Sequence, residues 1–167
     1  QTIFELAWNM LGMERLFVAI SEEPELLECL FDRIAQRKRA MAAAFARAGV
    51  DVLRLGDDVA GQRGLMMSRE AWRRLLAPRL ASVIEAARAV RPGIPVFYHS
   101  DGDVTAIVGD LAELGVTILN PVQPECMDPF ALKRAWGGRL TLWGTIGSQS
   151  VLPHGSPDQV RTTVRRH

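Results

Sequence analysis

The sequence predicts an α/β fold built on a parallel sheet, and three observations carry that prediction. Short apolar runs alternate strictly with longer stretches of helical three-to-four periodicity. The runs hold few polar positions, as expected of strands covered on both faces. Polar and glycine-containing segments follow the ends of those runs, where open α/β sheets and barrels place their chemistry. Right-handed crossovers put all of these carboxyl ends on one side.

Thr2–Phe4 reads as the tail of a strand, followed by a helical pattern through Leu6, Met10, Met13 and Phe17. Pro24 suits the first turn of a second helix, with Ser21 to Glu23 as cap candidates. That helix carries Leu27, Leu30, Phe31, Ile34, Met41 and Phe45 at helical spacing and stops at Gly49. Cys29 inside it reads as structural, because nothing nearby would stabilise a thiolate. Val50–Leu55 is the next strand, ending at Gly56-Asp57-Asp58, with Gly61, Gln62 and Gly64 in the loop beyond. Ser68 caps a long helix through Trp72, Leu75, Leu76, Val83, Ile84 and Ala87, which closes at Pro92-Gly93. Pro78 within it predicts a kink or two segments.

The run Ile94-Pro95-Val96-Phe97-Tyr98 is too short for a helix and reads as the central strand. A compact helix follows, with Val104, Ile107, Val108, Leu111 and Leu114 on one face and Gly115 at its end. Val116–Leu119 is a strand leading into Asn120-Pro121-Val122-Gln123-Pro124-Glu125. Asp128-Pro129 opens a short helix that Gly137-Gly138 terminates. Leu140–Trp143 is the last strand, turning at Gly144-Thr145-Ile146-Gly147. Ser156-Pro157-Asp158-Gln159 has the capping-box pattern of one more helix. The chain opens on Gln1 without an initiator Met and stops about two turns into that helix, so a piece of a larger protein is expected.

Bulk properties exclude several classes. With 167 residues, 48% hydrophobic, the chain can bury a core without metal or disulfide staples. A formal net charge of +1 argues against nucleic-acid binding. No apolar run reaches the length of a membrane span and no signal peptide is visible. Cys29 and Cys126 show no CxxC spacing, which makes a reducing cytoplasm the default expectation.

Chemistry-bearing residues converge on the predicted carboxyl face: Asp57 and Asp58, His99 and Asp101, Asn120 and Gln123, and the Gly144–Gly147 turn. Asp101 or Asp103 capping the next helix, with His99 a satisfied core histidine, is the plain alternative at one strand end. Four polar strand ends together are not explained by capping. His99 and Asp101, with distant carboxylates, suit a divalent metal such as zinc, or equally a general acid/base pair. Backbone amides of the Gly144–Gly147 turn, and the helix start at Ser156, are candidates for binding a carboxylate. No GxGxxG or P-loop is present. His154 reads as an exposed loop residue, and Cys126 as a weaker site candidate in a loop on the active face.

Taken in order, Gly56-Asp57-Asp58, Tyr98-His99-Ser100-Asp101-Gly102, Asn120-Pro121-Val122-Gln123-Pro124 and Trp143-Gly144-Thr145-Ile146 resemble the uroporphyrinogen decarboxylase superfamily. The resemblance runs from Phe4-Glu5 to the last helix. It implies a (β/α)8 TIM barrel, of which residues 1–167 form part of a single domain, about strands four to seven with their helices. The superfamily contains the haem-pathway decarboxylase and corrinoid-linked methyltransferases that use zinc. In the methyltransferase branch a His-x-Cys pair at this strand end binds zinc, joined by a cysteine late in the barrel. The matching positions here are His99 and Asp101, so a carboxylate replaces the first thiolate, and the later ligand falls beyond His167. The decarboxylase's essential aspartate and arginines lie upstream of this chain, and that branch is not marked by a His at the position of His99.

The resemblance therefore implies zinc-dependent methyl transfer between a small methylated substrate and a corrinoid or folate carrier, with a corrinoid protein as partner. In that reading zinc is held partly by His99 and Asp101. Asp57 or Asp58 positions or protonates the leaving group, and Asn120, Gln123, Gly144 and Thr145 contact substrate. A metal-free carboxy-lyase acting on a porphyrinogen is the alternative. A further alternative is an inactive barrel fragment that forms a homodimer through its open sheet edges.

Overall fold

The computed structural model describes all residues, Gln1–His167. Its frame is a four-stranded parallel sheet in the order β1 (Leu53–Gly56), β4 (Val96–His99), β5 (Ile118–Asn120), β6 (Thr141–Leu142). Between β1 and β4, a two-stranded hairpin of β2 (Ala60–Gly61) and β3 (Gly64–Leu65) occupies the stretch expected to be loop. The helices are α1 (Phe4–Leu11), α2 (Met13–Glu22), α3 (Pro24–Arg47), α4 (Arg69–Leu75), α5 (Ala77–Arg88), α6 (Val108–Leu114), α7 (Pro129–Trp136), α8 (Val151–His154) and α9 (Pro157–Arg166).

Several elements differ from the sequence expectation for identifiable reasons. Thr2–Phe4 is not a strand: Phe4 already begins α1, and the Thr2 and Ile3 amides turn onto Asp57. The first helical pattern is two helices, divided at Gly12, whose φ of +81° no helix interior accepts. The strand expected from Val50 begins only at Leu53, since residues 50–52 are still leaving the turn after α3. The helix after the central strand starts as a 3₁₀ turn, Thr105–Ile107, before α6. The short α8 was not expected. Pro78 divides its helix as its spacing suggests, standing in the first turn of α5 just after α4 ends. Ser68, Asp128 and Ser156 all cap through their side chains, the last in a full capping box.

Parallel register explains the layering. Leu53 and Leu55, Val96 and Tyr98, and Leu119 point to one face and are buried against the helices. There α3 lays Leu27, Phe31, Ile34, Ala42 and Ala46 along the Leu80, Val83, Ile84 and Ala87 side of α5. Each of the fully buried Leu, Val, Ile and Phe side chains among them contributes about 1.5–3 kcal/mol relative to exposure, the alanines less. The opposite row, Arg54, Phe97, Ile118 and Thr141, is more open. Phe97 packs there against Trp143, edge-on at 5.4 Å and itself 57% exposed, with the Arg54 guanidinium at 5.8 Å from its ring. A parallel sheet is normally covered on both faces, so this face is unfinished. No helix is long and apolar enough to cross a membrane.

Two helices on the covered side are tied by charge. Asp110 of α6 receives Arg69 at 2.9 Å and Arg73 at 2.6 Å, both from α4. Burial alone would raise the Asp110 carboxyl, but hydrogen bonds from Arg73 and Arg69 outweigh it and hold it below the ordinary range. A depressed folded-state pKa gives stability that is present above the unfolded value, about 3.9, and is lost as pH falls through the folded one. Urea titrations of Asp110→Asn beside wild type should show the variant less stable at neutral pH, with the gap closing as the solution is acidified below about pH 4. A gap that widens on acidification contradicts this assignment.

Candidate functional site

The site is set by the carboxyl ends of three neighbouring strands. Register pairs Gly56 of β1 with His99 of β4, and His99 with Asn120 of β5. The chain leaving β1 delivers Asp57 and Asp58, and the chain leaving β4 delivers Asp101. Glycine at position 56 is required by proximity, since its φ is +155° and a Cβ would strike the His99 carbonyl oxygen. That close approach brings the β1 exit against His99.

Asp58, His99 and Asp101 come together, each offering one ligand atom within 4.8 Å of the others. His99 Nε2 lies 3.8 Å from Asp58 Oδ1, and both side chains are 29% exposed. The Asp101 amide donates to Asp58 Oδ1 at 2.9 Å, fixing the two carboxylate-bearing loops relative to each other. On the far side of the ring, His99 Nδ1 is 2.7 Å from Asn120 Oδ1. One imidazole nitrogen and two carboxylate oxygens are a donor set that zinc and other first-row divalent ions accept. By this test the residues fit a divalent metal. The thiolate-free set is harder than a Cys-rich one, and carboxylate oxygen favours zinc less exclusively than sulfur does.

Asp57 takes a different role from the one its motif suggests. Its carboxylate accepts from the amides of Thr2 at 2.9 Å, Ile3 at 2.7 Å and Glu5 at 3.1 Å, so it anchors the start of α1 beside the sheet. Burial pushes its carboxyl up, while the amides of Ile3, Thr2, Phe4 and Glu5 pull it back. With both oxygens committed, Asp57 is an anchor and Asp58 is the member of the pair that faces the cluster.

The remaining expected residues divide likewise. Gln123 is buried and accepts from the Gly102 amide at 3.4 Å, steadying the turn after β4. Asp103 accepts from the Thr105 amide at 2.9 Å in a local turn ahead of the 3₁₀ segment, whose cap is Val104 without a side-chain bond, so neither Asp103 nor Asp101 caps the next helix. His99 is not a buried core histidine. Gln123, Gly144 and Asp101 line one cleft of about 370 Å³, together with Gly61, Gln62 and Pro121. Thr145 lies apart from it, in a second concavity with Lys133 and His167. A larger groove of about 860 Å³ between α8 and α9, lined by His154 and Asp158, holds none of the cluster residues. Burial, then the charges of Asp103, Glu125 and Asp101, pushes the Cys126 thiol up, away from the thiolate, and Cys126 is not among the clustered residues. Cys29 is exposed on α3.

Glu5 escaped the sequence reading. Its carboxyl is raised from the ordinary range by burial and then by the charges of Asp57 and Asp58, which places a third carboxyl beside the Asp57–Asp58 exit. No motif marks it. Only the docking of α1 against the β1 exit brings it there.

The model of the family described as uroporphyrinogen decarboxylase (URO-D) matches residues 2–167. The chain belongs to the uroporphyrinogen decarboxylase family. Two curated Methanosarcina barkeri proteins, each a methylcobamide:CoM methyltransferase MtaA, are 27% identical to it over 160 residues. One of them is from strain Fusaro. The matches cover 96% of this chain and 45% of those proteins. A solved methyltransferase from Methanosarcina mazei superposes with a TM-score of 0.77 at 23% identity, over 95% of this chain and 44% of that one, a likeness of fold. The chain thus spans under half the length of the relatives it matches. Both the metal-suited cluster and the anchor at Asp57 lie within the matched residues.

The anchor makes a separable prediction. Asp57→Asn places an amide N–H against backbone donors and should cost about 2 kcal/mol in urea denaturation. Unchanged stability would contradict the anchoring role.

Proposed function

We propose that this chain is the metal-carrying portion of a (β/α)8 barrel that moves a methyl group between a corrinoid carrier and a small-molecule acceptor. The observation that carries the reading is the convergence of Asp58, His99 and Asp101 at adjacent parallel strand ends. The methylcobamide and CoM named for the Methanosarcina barkeri relatives favour a corrinoid over a folate as carrier, and a small molecule of the CoM kind as the other partner in the transfer. The open row Arg54, Phe97, Ile118 and Thr141 supports the barrel, because further strands of such a barrel would close over it.

Each side chain then has a defined task. His99, Asp58 and Asp101 are the residues that would hold a divalent metal, zinc by family resemblance. Asp58, replacing the expectation of a ligand beyond the chain, completes a three-residue set from this chain alone. A metal bound there supplies a Lewis acid to the acceptor heteroatom. Asp101 borders the cleft of about 370 Å³, so an acceptor lying in that cleft meets the cluster at its open side.

Zinc added to the metal-stripped chain should bind near one equivalent, as read by competition with a chromophoric chelator. His99→Ala should abolish that binding. Asp58→Ala and Asp101→Ala should each weaken it by more than tenfold, in the range seen when a metal's supporting groups are removed. Wild-type affinity in all three variants contradicts the reading.

The exposed sheet face favours a second reading for the chain by itself: association with another copy. Trp143 and the row around Phe97 present apolar surface next to open strand edges. Sedimentation should then show dimers forming as concentration rises. A monomer at every concentration rules this out.

A further inference from the structure

We propose that Asn120 is a positioning residue whose amide oxygen fixes the tautomer of His99, leaving Nε2 bare toward Asp58 and Asp101. The inference rests on the metal-centre reading and deepens it, moving Asn120 from substrate contact to control of a ligand.

Adjacent register puts the two side chains on one face of the sheet. The ladder runs through the site itself: the Ser100 amide donates to the Asn120 carbonyl at 2.9 Å, just past the His99–Asn120 pair. His99 Nδ1 and Asn120 Oδ1 are then 2.7 Å apart, a short hydrogen bond. A neutral imidazole carries one N–H and one lone pair, and an amide oxygen only accepts. The proton on the neutral ring therefore sits on Nδ1, and Nε2 carries the lone pair. Nε2 is also the atom that faces Asp58. Left alone, two carboxylates beside Nε2 would draw the ring proton to that nitrogen, the wrong tautomer for binding a metal there. Asn120 opposes that pull from the other side of the ring.

Gly144 keeps room for the Asn120 side chain, whose amide nitrogen lies toward it. Gly144 has a φ of +79°, and a Cβ built on it would lie 3.2 Å from Asn120 Nδ2 and 3.2 Å from Pro121 Cβ. With glycine there, Nδ2 faces the β6 exit and Oδ1 is turned to His99. This gives Gly144 of the fourth strand end a function that does not require it to touch substrate.

Two readouts test the proposal. Nitrogen-15 NMR of the His99 ring, in the metal-free protein at a pH where the ring is neutral, should show a protonated Nδ1 and a bare Nε2. A proton on Nε2 overturns the proposal. Zinc titration against a chromophoric chelator should show Asn120→Ala binding about 10–100-fold more weakly than wild type. Asn120→Asp, which keeps an acceptor oxygen at the same position, should return the affinity to within a few-fold of wild type. The cobalt(II) visible spectrum should follow the same order. Wild-type zinc affinity in Asn120→Ala, with binding lost in His99→Ala, overturns the positioning role and leaves the metal centre standing. A wild-type chain that binds neither zinc nor cobalt overturns both.

Discussion

The parallel ladder linking Gly56, His99 and Asn120 is the constraint on which the rest of the site depends. Side chains alternate along a strand, so a slip of one residue between β4 and β5 would carry the imidazole and its partner to opposite faces. The register is held from the covered side, where Leu53, Val96, Tyr98 and Leu119 fill the interface with α3 and α5 and admit no polar replacement. Packing on one face thereby fixes chemistry on the other. Asp110 with Arg69 and Arg73 adds a directional tie between α4 and α6 behind the same strands.

Polar residues at the strand ends are consequently divided between building the site and being the site. Asp57 spends its hydrogen-bonding capacity on the amides that open α1, and Ser100, Gln123 and Asp103 accept from amides beyond the strand ends, where an unmade bond is costly. Asp58, His99 and Asp101 remain partly exposed and mutually close. Two carboxylates gathered beside one imidazole nitrogen are the donor set to which the proposed metal would bind.

Much of the fold was legible in the sequence because it is dictated locally. Apolar runs at Val96–Tyr98 and Ile118–Leu119 are too short for helices, and the caps at Ser68, Asp128 and Ser156 depend on residues within three positions. The convergence of His99 and Asp101 with a carboxylate from the β1 exit follows from strict alternation and right-handed crossovers. Where the sequence reading stopped short, the decisive contact was distant in the chain. Asp57 and Asp58 are adjacent and chemically identical. Only the docking of α1, some fifty residues upstream, assigns one to anchoring and the other to the cluster. Glu5 enters the site by the same docking. Thr145 shares a turn with Gly144 yet faces another concavity, a matter of turn geometry that composition does not encode.

The central claim is that this strand end binds a metal through one histidine and two carboxylates, without sulfur. X-ray absorption at the zinc edge of the zinc-loaded chain tests it most directly. The expected result is a first shell of nitrogen and oxygen only, at about 2.0–2.2 Å, with the outer-shell pattern of a single imidazole. A sulfur scatterer near about 2.3 Å, drawn from Cys126 or Cys29, or a shell without imidazole, would contradict it.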